Sequence, residues 1–387
     1  MTQAVVSNRG VARWTRGHPW IFTGDVVERP SGAAGVVTVR ETSGRVIGDA
    51  LFSPHSEITL RMLTRGDVRA DATWFAATVA AAVQRRASLD AVASAYRLIH
   101  GEGDGVPSFV ADRYDRWIVV QLLSAGLESQ RSVLVEALRA AAPWCEGILA
   151  RHDVPVRNRE KLSQDVEVLW GDVPREIAVQ EHGVTYLAAP WDGQKTGAFL
   201  DQREHRALIG GLARGRGLDC FSYHGSFALH MARRCESVLA LDVSAPALER
   251  AVANAARNGL TNVVPVVADA FEELKRRERL KERFETIVVD PPAFAKNRSA
   301  LANAVRGYHE VNLRAMRLLA PGGTMLTASC SFHLSKPDFL AILEGAAKDS
   351  GRRMALRALT AQGVDHPELL TVPETGYLKG AVLVALD

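Results

Sequence analysis

Two side chains able to do chemistry follow two apolar runs of the sequence. Asp290 comes directly after the run 284–289 and precedes two prolines, and Cys330 follows the run 324–328. A carboxylate accepts hydrogen bonds, and a cysteine thiolate is a nucleophile that can form a covalent intermediate. If both runs are parallel strands of one open sheet, their carboxyl ends lie at the edge where such sheets bind ligands. Asp290 and Cys330 are therefore predicted to face one pocket.

From about residue 200 the sequence alternates apolar runs with helical patterns. The runs lie at 217–221, 238–242, 263–267, 286–290, 323–328 and 381–386. This alternation predicts the α/β class, with a doubly wound, Rossmann-like parallel sheet in the C-terminal part of the chain.

The N-terminal part has a different pattern. Residues 4–70 show short β segments broken by Gly, Pro and Ser, which predicts a small β-barrel. Basic and aromatic side chains cluster at its start: Arg9, Arg13, Trp14, Arg16, His18 and Trp20. They could form an RNA surface, or equally a solvated edge with two core tryptophans. The Ala-rich sequence of residues 71–96 predicts a helix at the start of an α+β middle domain. The predicted domains are 1–70, 71–190 and 191–387.

The turn after the first strand of the C-terminal sheet contains Phe221, Tyr223 and a single glycine, Gly225. A dinucleotide site would need G-x-G-x-x-G here, so a dinucleotide is disfavoured. Asp242 ends the second strand, where a carboxylate can bind both ribose hydroxyls, and Asp269 follows the third, placed to meet an adenine edge. S-adenosylmethionine (SAM) is the adenosine ligand that this order predicts. Alternatively, either aspartate could simply cap the following helix.

The Asp-Pro-Pro motif at 290–292 resembles the fourth motif of SAM-dependent methyltransferases that act on bases. Enzymes that methylate exocyclic amines usually place Tyr or Phe next, to stack the base, but here Ala293 comes first and Phe294 second. Chemistry at a ring carbon is therefore favoured, in which the Cys330 thiolate adds to C6 of cytosine and makes C5 nucleophilic. The alternative for Cys330 is a small buried side chain, an interpretation that Cys220, inside a strand, retains.

The motifs together resemble the RlmI-type class I methyltransferases, which make 5-methylcytosine in 23S ribosomal RNA. The segments that carry the resemblance are 17–22 (GHPWIF), 193–203 (GQKTGAFLDQR), 221–223 (FSY), 290–294 (DPPAF), 329–331 (SCS), 361–367 (AQGVDHP) and 374–380 (ETGYLKG). The resemblance covers almost the whole chain. It implies an N-terminal PUA domain that binds RNA, a middle domain, a C-terminal SAM-binding domain and a homodimer.

The resemblance also implies roles for residues that spacing alone did not select. Gln202 and Arg203 are expected to join the cofactor pocket, and Cys330 is expected to be the nucleophile. Two features depart from the pattern. His224 and Ser226 stand where Thr and Gly are common, and the second cysteine that many RNA cytosine-C5 methyltransferases carry near the Asp-Pro motif is missing.

Composition limits the other possibilities. The net charge is +3 and 47% of residues are hydrophobic, which is typical of a globular protein. The four cysteines and the histidines lack metal-ligand spacing, so no metal is expected. Neither a membrane span nor a signal peptide is predicted, which favours the cytoplasm. Two rival functions remain open: an exocyclic-amine RNA methyltransferase, and a non-catalytic RNA-binding or ribosome-assembly protein with a degenerate SAM fold.

Overall fold

The structure is a computed structural model that describes residues 2–294 and 301–387. The chain divides into two compact units. The first consists of Met1–Gln180, Leu187–Leu200 and Val364–Gly376, and the second of Glu181–Tyr186, Asp201–Gly363 and Tyr377–Asp387. The domain boundaries at 70/71 and 190/191 stay a prediction. None of the described helices combines the length and the apolar character needed to cross a membrane.

The N-terminal sheet of the first unit has six strands in the order β2-β6-β5-β4-β1-β3. The strands are β1 (Gln3–Val6), β2 (Trp20–Ile21), β3 (Val26–Glu28), β4 (Gly35–Glu41), β5 (Val46–Phe52) and β6 (Leu60–Met62). Their inward side chains, including Val6, Ile21, Val39 and Phe52, form one apolar cluster. The predicted small β domain is confirmed.

A helix lies inside the segment for which only β structure was predicted. Helix α1 (Asn8–Thr15) begins after Ser7, whose hydroxyl caps it by accepting from the Gly10 N–H. The two tryptophans of the predicted RNA surface already have partners. Trp14 Nε1 donates to the Ile47 carbonyl at 3.2 Å, and Trp20 Nε1 donates to Glu102 at 2.8 Å.

A second sheet of the first unit has the order β11-β10-β9-β8-β7. Its strands are β7 (Ala95–His100), β8 (Phe109–Tyr114), β9 (Trp117–Leu122), β10 (Gly147–Arg151) and β11 (Val166–Gly171). The helices of this region are α2 (Ala72–Arg85), α3 (Ala125–Glu128), α4 (Arg131–Ala141) and α5 (Val156–Arg159), and a separate two-stranded sheet pairs β12 (Ile177–Glu181) with β13 (Val184–Ala188).

The first helix of this region is shorter than predicted. Helix α2 ends at Arg85 instead of near residue 96. The next residue, Arg86, turns its guanidinium onto the buried Asp104 carboxylate at 2.6 and 2.7 Å. Residues 95–96 begin strand β7 instead. A buried ion pair and sheet pairing thus override a helix-favouring sequence.

The large sheet of the second unit has seven strands in the order β16-β15-β14-β17-β18-β20-β19. They are β14 (Arg216–Cys220), β15 (Ser237–Asp242), β16 (Val263–Val267), β17 (Phe284–Val289), β18 (Leu319–Ser329), β19 (Met354–Ala361) and β20 (Lys379–Ala385). The first five strands in this order run parallel to one another. The predicted Rossmann-like class is confirmed.

Helices cover both faces of this sheet. They are α6 (Arg203–Leu212), α7 (Ser226–Ala232), α8 (Ala245–Arg257), α9 (Ala270–Arg279), α10 (Leu301–Leu318) and α11 (Lys336–Ser350). Side chains of β17 alternate between the two apolar layers: Val288 packs with α6–α8, whereas Ile287 and Val289 pack with α9–α11. Burial on both faces explains why the strands are continuous apolar runs.

Two features of this sheet differ from the prediction. Strand β19 is absent from the predicted runs because its sequence, MALRALTA, is rich in strong helix formers. Strand β20 runs antiparallel to both β18 and β19. The chain leaves β19 and enters β20 with no described helix crossing the sheet between them, so β20 starts at the edge where β18 ends.

Candidate active site

The candidate site lies where the strand order of the large sheet reverses. From β14 the chain continues to β15 on one side, and it later returns to β17 on the other side. Cys220 at the end of β14 pairs with Val289 at the end of β17. A crevice opens outside the carboxyl ends of strands at such a switch point, which is where open sheets bind ligands. Phe221 and Asp290, the next residues of the two strands, therefore flank it.

The loop after β14 holds an unusual backbone conformation. Phe221, Tyr223 and Gly225 have φ values of 64°, 49° and 82°. For the two aromatic residues this region is costly, and it persists only where surrounding contacts impose it. One such contact is the hydrogen bond of 2.8 Å from the Tyr223 N–H to the Asp242 carboxylate. The loop predicted to contact a cofactor is thus tied to the end of the next strand.

Asp242 is well placed for the predicted ribose contact. Its Oδ1 accepts from the Ser244 N–H at 2.9 Å, and its Oδ2 accepts from the Tyr223 N–H. Each carboxylate oxygen has a further lone pair for a hydroxyl donor. Helix α8 is capped by the Ser244 side chain, which accepts from the Ala247 N–H. The helix therefore does not require Asp242 as its cap.

Asp269 has a different surrounding. Its exposed carboxylate caps helix α9 by accepting from the Glu272 N–H at 3.1 Å. The capping alternative raised from the sequence is thus present, and the adenine contact stays a prediction.

Asp219 was not selected from the sequence. Its Oδ2 accepts from the Ser222 hydroxyl at 2.6 Å and from the Ala228 N–H at 2.9 Å, which fastens the loop to helix α7. Burial, together with the nearby Asp290 and Asp242 carboxylates, raises the pKa of Asp219 to about 7. Its Oδ1 is buried without a hydrogen-bond partner among the described residues. The one sequence signal was an acid inside an apolar strand.

Gln202 orients Asp290. The Gln202 Nε2 donates to Asp290 Oδ1 at 2.8 Å, and the Gln202 Oε1 is hydrogen-bonded to Nδ1 of His205. Only 4% of Gln202 is exposed, so this contact is shielded from water. Arg203 is also buried, and its guanidinium pairs with Glu204 at 2.5 Å. Its contact with a cofactor stays a prediction.

Cys330 directly follows β18, the strand beside β17. Val289 pairs with Thr327, so Asp290 and Cys330 leave adjacent parallel strands at the same edge. At the residue after the cysteine, the Ser331 hydroxyl is hydrogen-bonded to the Tyr308 hydroxyl at 2.9 Å. Burial raises the pKa of Tyr308, so this phenol stays protonated.

Cys330 differs from the other three cysteines in its exposure. It is half-buried, whereas Cys145, Cys220 and Cys235 are buried. Burial raises the pKa of Cys145 and of Cys235 to about 11, and it raises the pKa of Cys220 as well. Those thiols are inert at neutral pH, because the thiolate is the reactive form.

Phe294 belongs to an aromatic cluster. Its ring centroid lies 4.7 Å from Tyr308, 6.0 Å from Phe271 and 6.5 Å from Phe221. Phe294 thus supports the loop after β14. The position that directly follows the second proline is held by Ala293, which has no ring to stack on a base.

Comparisons with known proteins agree with this architecture. A family model described as S-adenosylmethionine-dependent methyltransferase matches residues 96–378, and one described as PUA-like domain matches residues 5–65. The chain belongs to the SAM-dependent methyltransferase family. Two relatives named ribosomal RNA large subunit methyltransferase I, from Erwinia tasmaniensis and Vibrio cholerae, are each 38% identical over 94% of both chains.

Solved structures show the same fold. A protein from Streptococcus mutans described as a SAM-dependent methyltransferase superimposes with a TM-score of 0.83 at 21% identity, over 99% of this chain and all of the other. A methyltransferase in complex with S-adenosylhomocysteine gives a TM-score of 0.85 at 21% identity and the same coverage.

The residues at the switch point fit SAM. The ligand carries a positive sulfonium, and the carboxyl groups of Asp219, Asp242 and Asp290 interact electrostatically at these strand ends. The unsatisfied Oδ1 of Asp219 offers a further hydrogen-bonding atom in the same place. Acceptors and negative charge suit a cationic nucleoside better than a phosphate.

Proposed function

We propose that this protein forms 5-methylcytosine in 23S ribosomal RNA through a covalent adduct between Cys330 and C6 of the target base. The observation that carries the proposal is the exit of Cys330 and Asp290 from adjacent parallel strands at the switch point. A nucleophile and a base-orienting acid thereby share one edge of the sheet. The base must leave its stack to reach them.

The reaction has three steps for the chain's own groups. The Cys330 sulfur bonds to C6 and the C5–C6 π bond opens, so that its electron pair forms an enamine in which C5 is nucleophilic. SAM, when bound, supplies the methyl group that C5 accepts. Loss of the C5 proton then restores the double bond and expels the Cys330 sulfur as the leaving group.

Asp290 is proposed to orient the base. Its carboxylate can accept a hydrogen bond from the cytosine amino group, and the Gln202 amide fixes the carboxylate plane. The prolines after Asp290 restrict the loop backbone. Orientation of this kind places C6 within reach of the sulfur.

The cofactor pocket is proposed to involve nine residues: Gln202, Arg203, Asp219, Phe221, Tyr223, Gly225, Asp242, Asp269 and Asp290. Asp242 would bind the ribose hydroxyls, and Asp219 and Asp290 would face the positive end of the ligand. Asp269 would meet the adenine from its position at the start of α9.

The RNA substrate is proposed from the relatives, whose names state activity on large-subunit ribosomal RNA. The PUA-like domain would supply RNA affinity. A homodimer and a cytoplasmic location belong to the same proposal. Light scattering of the full chain would show a monomer if the dimer is wrong.

The deciding experiment compares Cys330→Ala with Cys235→Ala, whose thiol is buried away from the candidate site. Each variant is given SAM and ribosomal RNA, and nucleosides are separated after digestion. We expect 5-methylcytidine with Cys235→Ala and none with Cys330→Ala. Full activity of Cys330→Ala would remove the covalent mechanism, and N4-methylcytidine as the product would favour amine chemistry.

A second experiment tests the adduct itself. RNA with 5-fluorocytosine at the target site carries no C5 proton to lose, so the proposed intermediate should accumulate as a protein–RNA species that resists denaturation. The adduct should be absent with Cys330→Ala. Its absence with the unmodified but active enzyme would contradict the proposed route.

A further inference from the structure

Lys379 is a buried charged side chain beside the candidate nucleophile. Only 5% of the residue is exposed. It is the first residue of β20, where it pairs directly with Ser329 of β18. Its ammonium donates to the Ser331 carbonyl at 2.7 Å and to the Tyr377 carbonyl at 2.8 Å.

These contacts place the lysine against the turn that contains Cys330. The Lys379 backbone pairs with Ser329, the residue before the cysteine, and its ammonium group donates to the carbonyl of Ser331, the residue after the cysteine. A buried ammonium is costly unless hydrogen bonds and nearby negative charge compensate it. A thiolate at Cys330 would be such a charge.

The position of Lys379 is imposed by packing. The preceding residue but one, Tyr377, donates its hydroxyl to Asp201 at 2.7 Å. A methyl group at the next residue, Gly380, would lie 2.2 Å from the Thr360 hydroxyl and 2.9 Å from the His205 ring. The start of β20 is therefore packed closely against β19 and α6, beside Lys379.

We propose that Lys379 is a positioning residue that fixes the 329–331 turn and favours the thiolate form of Cys330. This inference rests on the proposed role of Cys330 as the nucleophile. A positive charge near a cysteine increases its thiolate fraction, and the thiolate is the attacking species.

Several other titratable groups lie on the elements around Lys379 and this turn. Tyr308 contacts Ser331, Asp290 follows the neighbouring strand, and His333 and Lys336 follow the turn in sequence. Asp201 contacts Tyr377, and His205 lies next to Gly380. Burial lowers the pKa of His205 to about 4 and raises the pKa of Tyr308, so both are neutral at pH 7. The Asp290 carboxylate opposes a second negative charge. His333 and Lys336 are exposed, where solvent screens them. Lys379 brings its positive charge to the turn from a shielded position.

The test measures the pH dependence of Cys330 alkylation by iodoacetamide in the full chain without SAM, followed by peptide mass spectrometry. Lys379→Met removes the charge and keeps the chain length, and Lys379→Arg keeps the charge. We expect the alkylation midpoint of Lys379→Met to rise by about one pH unit or more, which lowers the rate at neutral pH about tenfold. Lys379→Arg should stay close to the unmodified protein. A folded Lys379→Met with an unchanged midpoint overturns the inference.

A measurement on the unmodified lysine covers the case in which Lys379→Met fails to fold. The ultraviolet absorbance of the thiolate is titrated in the unmodified protein and in Cys330→Ser, and the difference isolates Cys330. A midpoint below the ordinary thiol value of about 8.5 supports the inference, and one at or above it overturns the inference. Neither readout needs methyl transfer. A low midpoint together with an active Cys330→Ala would therefore refute the proposed function alone.

Discussion

The amide of Gln202 donates a hydrogen bond of 2.8 Å to the carboxylate of Asp290. The two residues are distant in sequence: one precedes the first strand of the large sheet and the other follows the fourth strand. The His205 ring holds the opposite end of the same amide. The orientation of Asp290 is therefore set by helix α6 as well as by its own loop.

Gln202→Ala should impair catalysis without unfolding the protein. A hydrogen bond to a charged group contributes about 1.5–3 kcal/mol, which corresponds to about a 10- to 100-fold loss of kcat/KM. Single-turnover methyl transfer and calorimetric titration with SAM would separate the effect on base orientation from that on cofactor affinity. Gln164→Ala is the matched control, since that amide donates to the Val154 carbonyl at an exposed position. Activity of Gln202→Ala within twofold of the unmodified protein would contradict the assigned role.

Asp219 should make the free energy of unfolding fall as pH rises. Its pKa is raised to about 7 in the folded state, so the folded protein retains a proton that the unfolded chain releases near pH 4. The stability contributed by this protonation is complete below about pH 4 and is lost as pH rises to about 7. The loss amounts to about 4 kcal/mol.

Asp219→Asn removes that dependence while keeping an oxygen acceptor for Ser222 and Ala228. Urea unfolding at pH 5 and pH 8 should therefore show the variant gaining stability relative to the unmodified protein at the higher pH. Asp67→Asn, at an exposed position, should leave the pH dependence as it is. Parallel pH profiles for Asp219→Asn and the unmodified protein would rule out this account.

Gly225→Ala should be more damaging than a substitution at another left-handed glycine. Gly225 has φ = 82°, and an added Cβ would lie 2.7 Å from the Ala251 Cβ. Gly259 has φ = 66° with no atom within 4 Å of the added group, so Gly259→Ala reports backbone strain alone. Strain costs about 1–3 kcal/mol, and Gly225→Ala should exceed the control. It should also weaken SAM binding, which Gly259→Ala should leave unchanged. Equal losses in both variants would show that the contact with α8 is unimportant.

Local sequence patterns predicted the strands that appear as continuous apolar runs in the sequence. The strands ending near Asp242 and Asp290 were predicted because buried parallel strands read as continuous apolar runs. Strand β19 was missed because its helix-favouring sequence is overridden by pairing with β20. Helix α1 was missed because its evidence is a serine cap within a β-rich stretch.

The residues of the candidate site also divide into those that the sequence could identify and those that it could not. Asp290 and Cys330 could be selected because each stands at the end of an apolar run. The importance of Asp219 depends on burial and on two other carboxyl groups, which no short window contains. The contact of Lys379 with the Ser331 carbonyl joins residues 48 positions apart. Spacing alone carries no information about such a contact.

The reversed direction of β20 decides which chemical group arrives beside Cys330. Because the strand is antiparallel to β18, its first residue meets the 329–331 turn, and that residue is a lysine. The same seven residues inserted in parallel would bring Ala385 to this edge. That end of the strand would then carry a methyl group instead of an ammonium group. If Lys379 has the role proposed above, the polarity of one strand decides whether a positive charge lies near the 329–331 turn.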